Sequence, residues 1–303
     1  MKIRIKFSKY GPVRFVGHLD VMRYFQKLIR RADIDIAMTD GFSPHQIMSF
    51  ANPLSVGISS DAEYVDIDIN SMSLLSFDDN IKNMENLEEL VQNLNCHGCE
   101  GFDIISACSL HEWQPGEKKQ TAMSLVRAAD YIVQYKPAVL NVSEPVSQND
   151  INSFFKKDEI FIIKEPKTKA PQKIKSRHDG GIKSEQSAEA QPCMADMPCK
   201  ADIKPLIIKT ASAFDKFYDK DDANVSPKEF SKLHIGWFDE NSPFCIMRLS
   251  TGSANNLKPE AVMKAFCDEK KMEYRRSDFK IHRIEQYGQA DDGKFTSLDL
   301  MTI

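Results

Sequence analysis

No run of eighteen apolar residues occurs in the 303-residue chain, which speaks against a membrane-spanning helix. The first ten residues, MKIRIKFSKY, lack the continuous apolar stretch of a secretory signal and alternate charged with apolar residues, so the expected location is the cytoplasm. A phosphate-cradling GxxxxGK[ST] loop, a dinucleotide fingerprint and a GxSxG nucleophile turn are all missing, which removes the commonest nucleotide-dependent and serine-hydrolase chemistries. The seven cysteines (Cys96, Cys99, Cys108, Cys193, Cys199, Cys245, Cys267) are odd in number and scattered, a pattern of reduced thiols rather than a disulfide framework.

What is present is a soluble composition, 42% hydrophobic and 28% charged, with an uneven charge distribution. Residues 1–50 hold nine Lys/Arg against four Asp; the whole chain carries −4, so the other 253 residues carry −9. A basic end on an acidic chain implies one localised anionic partner.

The expected fold is α+β. Lys2 to Phe7 alternates as a half-buried strand, with Ile3, Ile5 and Phe7 inward and Lys2, Arg4 and Lys6 outward. Gly11-Pro12 interrupts it, and residues 17–32 then read as an amphipathic helix, Leu19, Met22, Phe25, Ile29 and Ala32 forming the apolar side. Further extended segments are expected at 47–50, 54–58 and 63–70, a second helix from Ile81 to Leu94 and a strand at 102–107. This order matches a ferredoxin-like split βαβ unit. In the second half, strands at 131–136, 160–164, 202–209 and 280–286, helices at 148–155 and from Pro259, and a hairpin of 233–238 with 244–249 repeat that order with insertions. Two tandem ferredoxin-like domains, 1–113 and 120–303, are therefore expected, joined by a linker at 114–119. The Pro-, Lys- and Ser-rich stretch 165–200 interrupts the second as a disordered hairpin tip.

The densest chemistry lies between Arg14 and Gly57. Arg23, Lys27, Arg30 and Arg31 project from one side of the first helix, and with Arg14, and Lys2, Arg4 and Lys6 beyond it, form a candidate phosphate-binding surface; the alternative is a solvated face neutralised by Asp20, Asp33 and Asp35. His18 and Asp20 open that helix, and His45 follows Gly41-Phe42-Ser43-Pro44 in a turn. The two histidines are candidates for acid/base work on RNA or for phosphate contacts, while a local cap is the plainer role for His-x-Asp. Cys96-His97-Gly98-Cys99 has no second CxxC at zinc spacing, and Asp219 to Asp222 lacks the glycine and glutamate of a calcium loop; no metal or cofactor is expected.

The stretch GPVRFVGHLDVMRYFQKLIRRADIDIAMTDGFSPHQIMSFANPLSVGISSDAEYVDIDI closely resembles the opening of the bacterial radical-SAM-linked protein family, a domain of unknown function fused to or encoded beside radical S-adenosylmethionine proteins. The shared pattern includes Arg14, Phe15, His18, Leu19, Asp20, Arg30, Arg31, Gly41, Phe42, Pro44, His45, Pro53, Gly57 and Glu63. ADIKPLI and NNLKPEAVMKAF resemble later parts of it. The resemblance implies a radical-SAM partner and a setting in RNA or ribosome metabolism. The chain lacks the CxxxCxxC motif of that chemistry, so the cluster is expected in the partner. The resulting expectation is a non-catalytic accessory protein that binds RNA or ribonucleoprotein. A metal-independent endoribonuclease and a pure protein-interaction module are the alternatives.

Overall fold

The computed structural model describes residues 1–74, 86–111, 120–137, 146–157, 160, 162–163, 200–201, 207–210, 238–239, 241–252, 256–290 and 293–301. The expected linker at 114–119, the insert at 165–199, the calcium-loop look-alike and the first arm of the 233–238 hairpin up to residue 237 lie outside the described residues.

The chain runs β1 (Lys2–Lys9), α1 (His18–Arg31), β2 (Ile34–Ile36), β3 (Met48–Phe50), β4 (Ser59–Leu74), α2 (Leu87–Cys96) and β5 (Ile104–Leu110). It continues with a single turn α3 (Ala122–Leu125), β6 (Val126–Tyr135), α4 (Gln148–Phe155), β7 (Ile162–Ile163), β8 (Lys200–Ala201), β9 (Ile207–Thr210), β10 (Phe244–Ser250), α5 (Pro259–Glu269), β11 (Phe279–Gln289) and β12 (Phe295–Ser297). Among the described residues ten strands form one mixed sheet in the order β5-β1-β4-β11-β6-β10-β9, with β2 and β3 on β4 and β12 on β11. The fold is α+β.

One edge of the 16-residue β4 is divided among three strands. Ile69 to Leu74 meets β2, Val65 to Ile67 meets β3, and Ser59 and Ser60 run parallel to His282 and Arg283 of β11. That two-residue parallel register is where the halves of the sheet join.

Two cores follow from the strand alternation. Ile3, Ile5 and Phe7 pack with Val65 and Ile67 against Phe25, Leu28 and Ile29 of α1 and Leu90 and Leu94 of α2. Phe7, Phe25, Phe50 and Phe102 form a ring cluster, Phe7 and Phe25 lying 4.5 Å apart. In the second half Tyr131, Val133, Met247, Leu249 and Ile281 pack against Ile151 and Phe154 of α4 and Val262 and Phe266 of α5. Pro259 opens α5 in its first turn, where a missing N–H costs nothing.

Helix α4 begins with a capping box. The Ser147 hydroxyl accepts from the Asp150 N–H, and the Asp150 carboxylate accepts from the Ser147 N–H at 2.8 Å. Lys270 also donates to that carboxylate, and these hydrogen bonds, led by the Lys270 contact, hold its pKa down at about 2. Ser147→Ala removes the cap, and a loss of about 1 kcal/mol is expected in a denaturant titration. No change at all in the midpoint would contradict the cap's role.

The structure corrects several expectations. The outer face of β1 is covered as well as the inner: Arg4 is 1% exposed and Lys6 reaches inward to carboxylates. On α1 the buried set is Val21, Phe25, Leu28 and Ile29, whereas Leu19 is 61% exposed. Residues 54–58 form a turn rather than a strand, with Gly57 in the left-handed region (φ 86°) and its N–H donating to the Arg14 carbonyl. The short strands β2 and β12 and the turn α3 carry too few residues for a period to show. Among the described residues no helix is long and apolar enough to cross a membrane.

Candidate functional site

Arg4 is held by the Asp66 carboxylate through Nε (2.8 Å) and Nη2 (3.2 Å) and by the Leu298 carbonyl through Nη1 (2.9 Å). Lys6 donates to Glu285 (2.6 Å) and Asp299 (3.2 Å). Burial works against its ammonium, yet the two carboxylates outweigh that and hold its pKa above the usual value. Both side chains therefore bind the C-terminal segment to β1 and are withdrawn from any external phosphate surface.

The cations of α1 are differently placed. Arg23 is paired with Asp20 at 2.9 Å. Arg31 donates to the His97 carbonyl at the end of α2 (3.1 Å) and lies over the Tyr24 ring. Arg14 stacks on Phe15, 4.8 Å from its centroid. Lys27 and Arg30 are exposed, and among the described residues neither side chain is in an ion pair or a hydrogen bond. The solvated-face alternative thus applies to Arg23, whose charge Asp20 offsets. Of the other two carboxylates, Asp35 accepts from Asn70 and Ser71.

Among the described residues no hydrogen bond or ring contact joins His18 and His45. His45 sits in the exposed turn, where its Nδ1 is 3.0 Å from Thr39 Oγ1, and Gly41 supplies the left-handed residue (φ 106°) that the turn requires. Phe42 and Pro44 are exposed in the same turn. His18 lies edge-on to Phe50 at 5.3 Å and forms one wall of a narrow cleft.

That cleft is lined by Phe7, Lys9, His18, Asn52, Pro53 and Glu63 among others, and has about 320 Å³ of empty space, part of it open to solvent. Lys9 is 2% exposed and donates to the Val16 carbonyl at 2.7 Å. Burial pushes its ammonium below the usual range; Arg283 adds to that effect and Glu63 opposes it. Glu63, 7% exposed, is held by Arg283 Nη1 at 2.8 Å, and burial pushes its carboxyl up although Arg283 pulls the other way. Arg283 also donates to the Asn52 carbonyl and the Tyr131 hydroxyl. Burial, aided by the Lys9 charge, lowers the pKa of His18.

Lys9, Asn52 and Arg283 were not singled out from the sequence. The signal for Lys9 was available, since it continues the odd-numbered inward face of Ile3, Ile5 and Phe7. Glu63 likewise shares parity with the buried Val65, Ile67 and Ile69. Arg283 follows Phe279 and Ile281 on β11, but its carboxylate partner lies 220 residues away and leaves no local trace.

A second constellation has the look of hydrolytic machinery. His282 places Nδ1 2.9 Å from Ser59 Oγ and Nε2 2.9 Å from Asp61 Oδ2. His282 is 0% and Ser59 1% exposed, and none of the three residues lines the cleft. They act as a clamp across the short β4–β11 seam. Cys96 ends α2 and Cys99 lies in the turn beyond it, both exposed as free thiols; the Cys99 N–H donates to Tyr24 Oη at 3.1 Å. Among the described residues no group of three or more His, Cys, Asp or Glu is placed to hold a metal ion.

Comparison with known families places this site in context. A sequence model of a family described as an uncharacterized protein conserved in bacteria (DUF2344) matches residues 2–180, more than half of the chain. The chain belongs to this family. No curated protein matches it. The DUF2344 match takes in α1 and the cleft residues Lys9, His18, Asn52 and Glu63, whereas Arg283, which holds Glu63 but does not line the cleft, comes from beyond it.

Proposed function

We propose that the protein is a non-catalytic RNA-binding accessory protein that acts with a separate radical-SAM enzyme in RNA or ribosome metabolism. The observation that carries the RNA reading is the pair Lys27 and Arg30, exposed on α1 without an acidic partner among the described residues. Lys27 precedes Arg30 and Arg31 by three and four positions, so all three lie along one side of the helix. Arg31 adjoins them and rests on the Tyr24 ring, and Arg14, ahead of the start of α1, rests on Phe15. Exposed Phe15 and Phe42 offer ring faces for stacking of unpaired bases.

The radical-SAM partner rests on the resemblance of the Arg14–Glu63 pattern to the radical-SAM-linked proteins. The tandem ferredoxin-like reading is supported by strand order. In the first half β1 lies between β5 and β4 with β2 and β3 beyond, and in the second half β6 lies between β11 and β10 with β9 beyond. Each half thus has the first strand of its unit flanked by the fourth and third. Binding is favoured over cleavage because His18 and His45 make separate local contacts and share no partner.

Ultraviolet crosslinking of the protein in its cells, followed by sequencing of bound RNA and mass mapping of crosslinked peptides, tests this reading. Crosslinks are expected on peptides from α1 and the 38–47 turn. Co-purification of a partner protein that survives RNase, with no crosslinked RNA, would replace it with the protein-interaction reading.

A further inference from the structure

The buried cluster behind His18 holds two cations and one carboxylate; Lys9 and Glu63 line the cleft, and Arg283 joins the cluster from outside that lining. Lys9 and Arg283 are both at least 98% buried, against a single buried carboxylate, Glu63, already engaged by Arg283 at 2.8 Å. Lys9 has three donor hydrogens, and its one hydrogen-bond partner among the described residues is a neutral carbonyl, that of Val16. Glu63 favours the Lys9 ammonium but is shared with Arg283, so the cost of burying Lys9 is only partly compensated.

The surroundings suit one compensating group. Lys9, His18 and Asn52 line the cleft together. The first turn of the 14-residue α1 starts there, and its Gly17 cap supplies no side-chain acceptor for the free N–H groups. The enclosed part of the space has room for about one water molecule, so a group enters by its leading oxygen rather than whole.

We propose that this cleft binds one oxyanion group, a phosphate or a carboxylate, with Lys9 as its charge partner and His18 at its side. The site stands apart from the Lys27–Arg30 surface and does not depend on the RNA reading. Two sources have the required chemistry: a free small anion, and the terminal phosphate of a bound strand.

The test uses the full chain and inorganic phosphate, titrated at constant ionic strength against chloride. Saturable thermal stabilisation of the wild type is expected. In Lys9→Met the phosphate affinity is expected to fall at least about tenfold, the loss of one charge-assisted hydrogen bond. The His18 ring gives a second readout on unmutated protein: an anion beside Lys9 raises its NMR titration midpoint. A 5′-phosphorylated oligonucleotide that binds about tenfold more tightly than its 5′-hydroxyl counterpart identifies the strand end as the source. Equal affinity of the two, with phosphate stabilisation intact, identifies the free anion. No saturable response to phosphate in the wild type, together with an unmoved His18 midpoint, overturns the proposal, as does an identical response in Lys9→Met.

Discussion

Asp66→Ala is expected to lower the unfolding free energy by about 3–5 kcal/mol, because it leaves the Arg4 guanidinium buried without its partner. Arg4 is 1% exposed and bonds both carboxylate oxygens of Asp66. The same carboxylate accepts from the Ala122 N–H at 2.7 Å, and Arg4 donates to the Leu298 carbonyl. One ion pair therefore ties β1 and β4 to the start of the second half and to the C-terminal segment. The double replacement Arg4→Met with Asp66→Leu removes both charges and should recover part of the loss, since an apolar pair of similar volume is tolerated where a lone charge is not. It should not recover all of it, because the Ala122 N–H and the Leu298 carbonyl remain without their partners, at about 1–3 kcal/mol each. Urea titrations of the two variants provide the check. A single-mutant loss below about 1 kcal/mol would mean that water reaches the site.

Arg283→Met is expected to be as damaging near neutral pH, about 3–5 kcal/mol, and much less so in mild acid. The reason is Glu63. Its folded pKa is raised by burial, so its contribution to stability is present in full below the ordinary value of 4.5 and is lost as pH rises through the folded value. Removing Arg283 takes away the largest opposing influence, moves the folded value higher and widens that window. The difference between variant and wild type should therefore shrink steadily from pH 8 to pH 4.5. A difference independent of pH would show that the damage comes from the lost hydrogen bonds to Asn52 and Tyr131 alone.

These two side chains also show what the sequence could and could not reveal. The inward faces of β1 and β4 were legible because Ile3, Ile5, Phe7, Val65 and Ile67 alternate over more than two repeats. The outward face of β1 was misread for a physical reason: alternation of Lys2, Arg4 and Lys6 with apolar residues is what a strand with one wet face shows. Here that face is closed by the segment around Leu298 and Asp299, whose acceptors take Arg4 and Lys6. Long-range complementarity of this kind leaves no period in a single chain. Residues 54–58, expected to be extended, turn instead, because Gly57 adopts positive φ there. At α1 the basic side was legible from spacing. Its partition into the paired Arg23, the docked Arg31 and the unpaired Lys27 and Arg30 required coordinates, because Asp20 and the His97 carbonyl settle it through side-chain geometry.

That partition also decides which residues to change. Arg31 helps fix α1 to the end of α2, so its removal mixes folding with binding. Lys27 and Arg30 carry no such duty among the described residues. The most direct measurement is the salt dependence of single-stranded RNA affinity for the wild type and for Lys27→Ala with Arg30→Ala. If the α1 surface carries the RNA, the variant keeps its unfolding midpoint and binds at least about tenfold more weakly, and its slope of log K against log salt falls by about 1.4, two phosphate contacts at about 0.7 each. An unchanged slope and affinity in a folded variant would contradict the account.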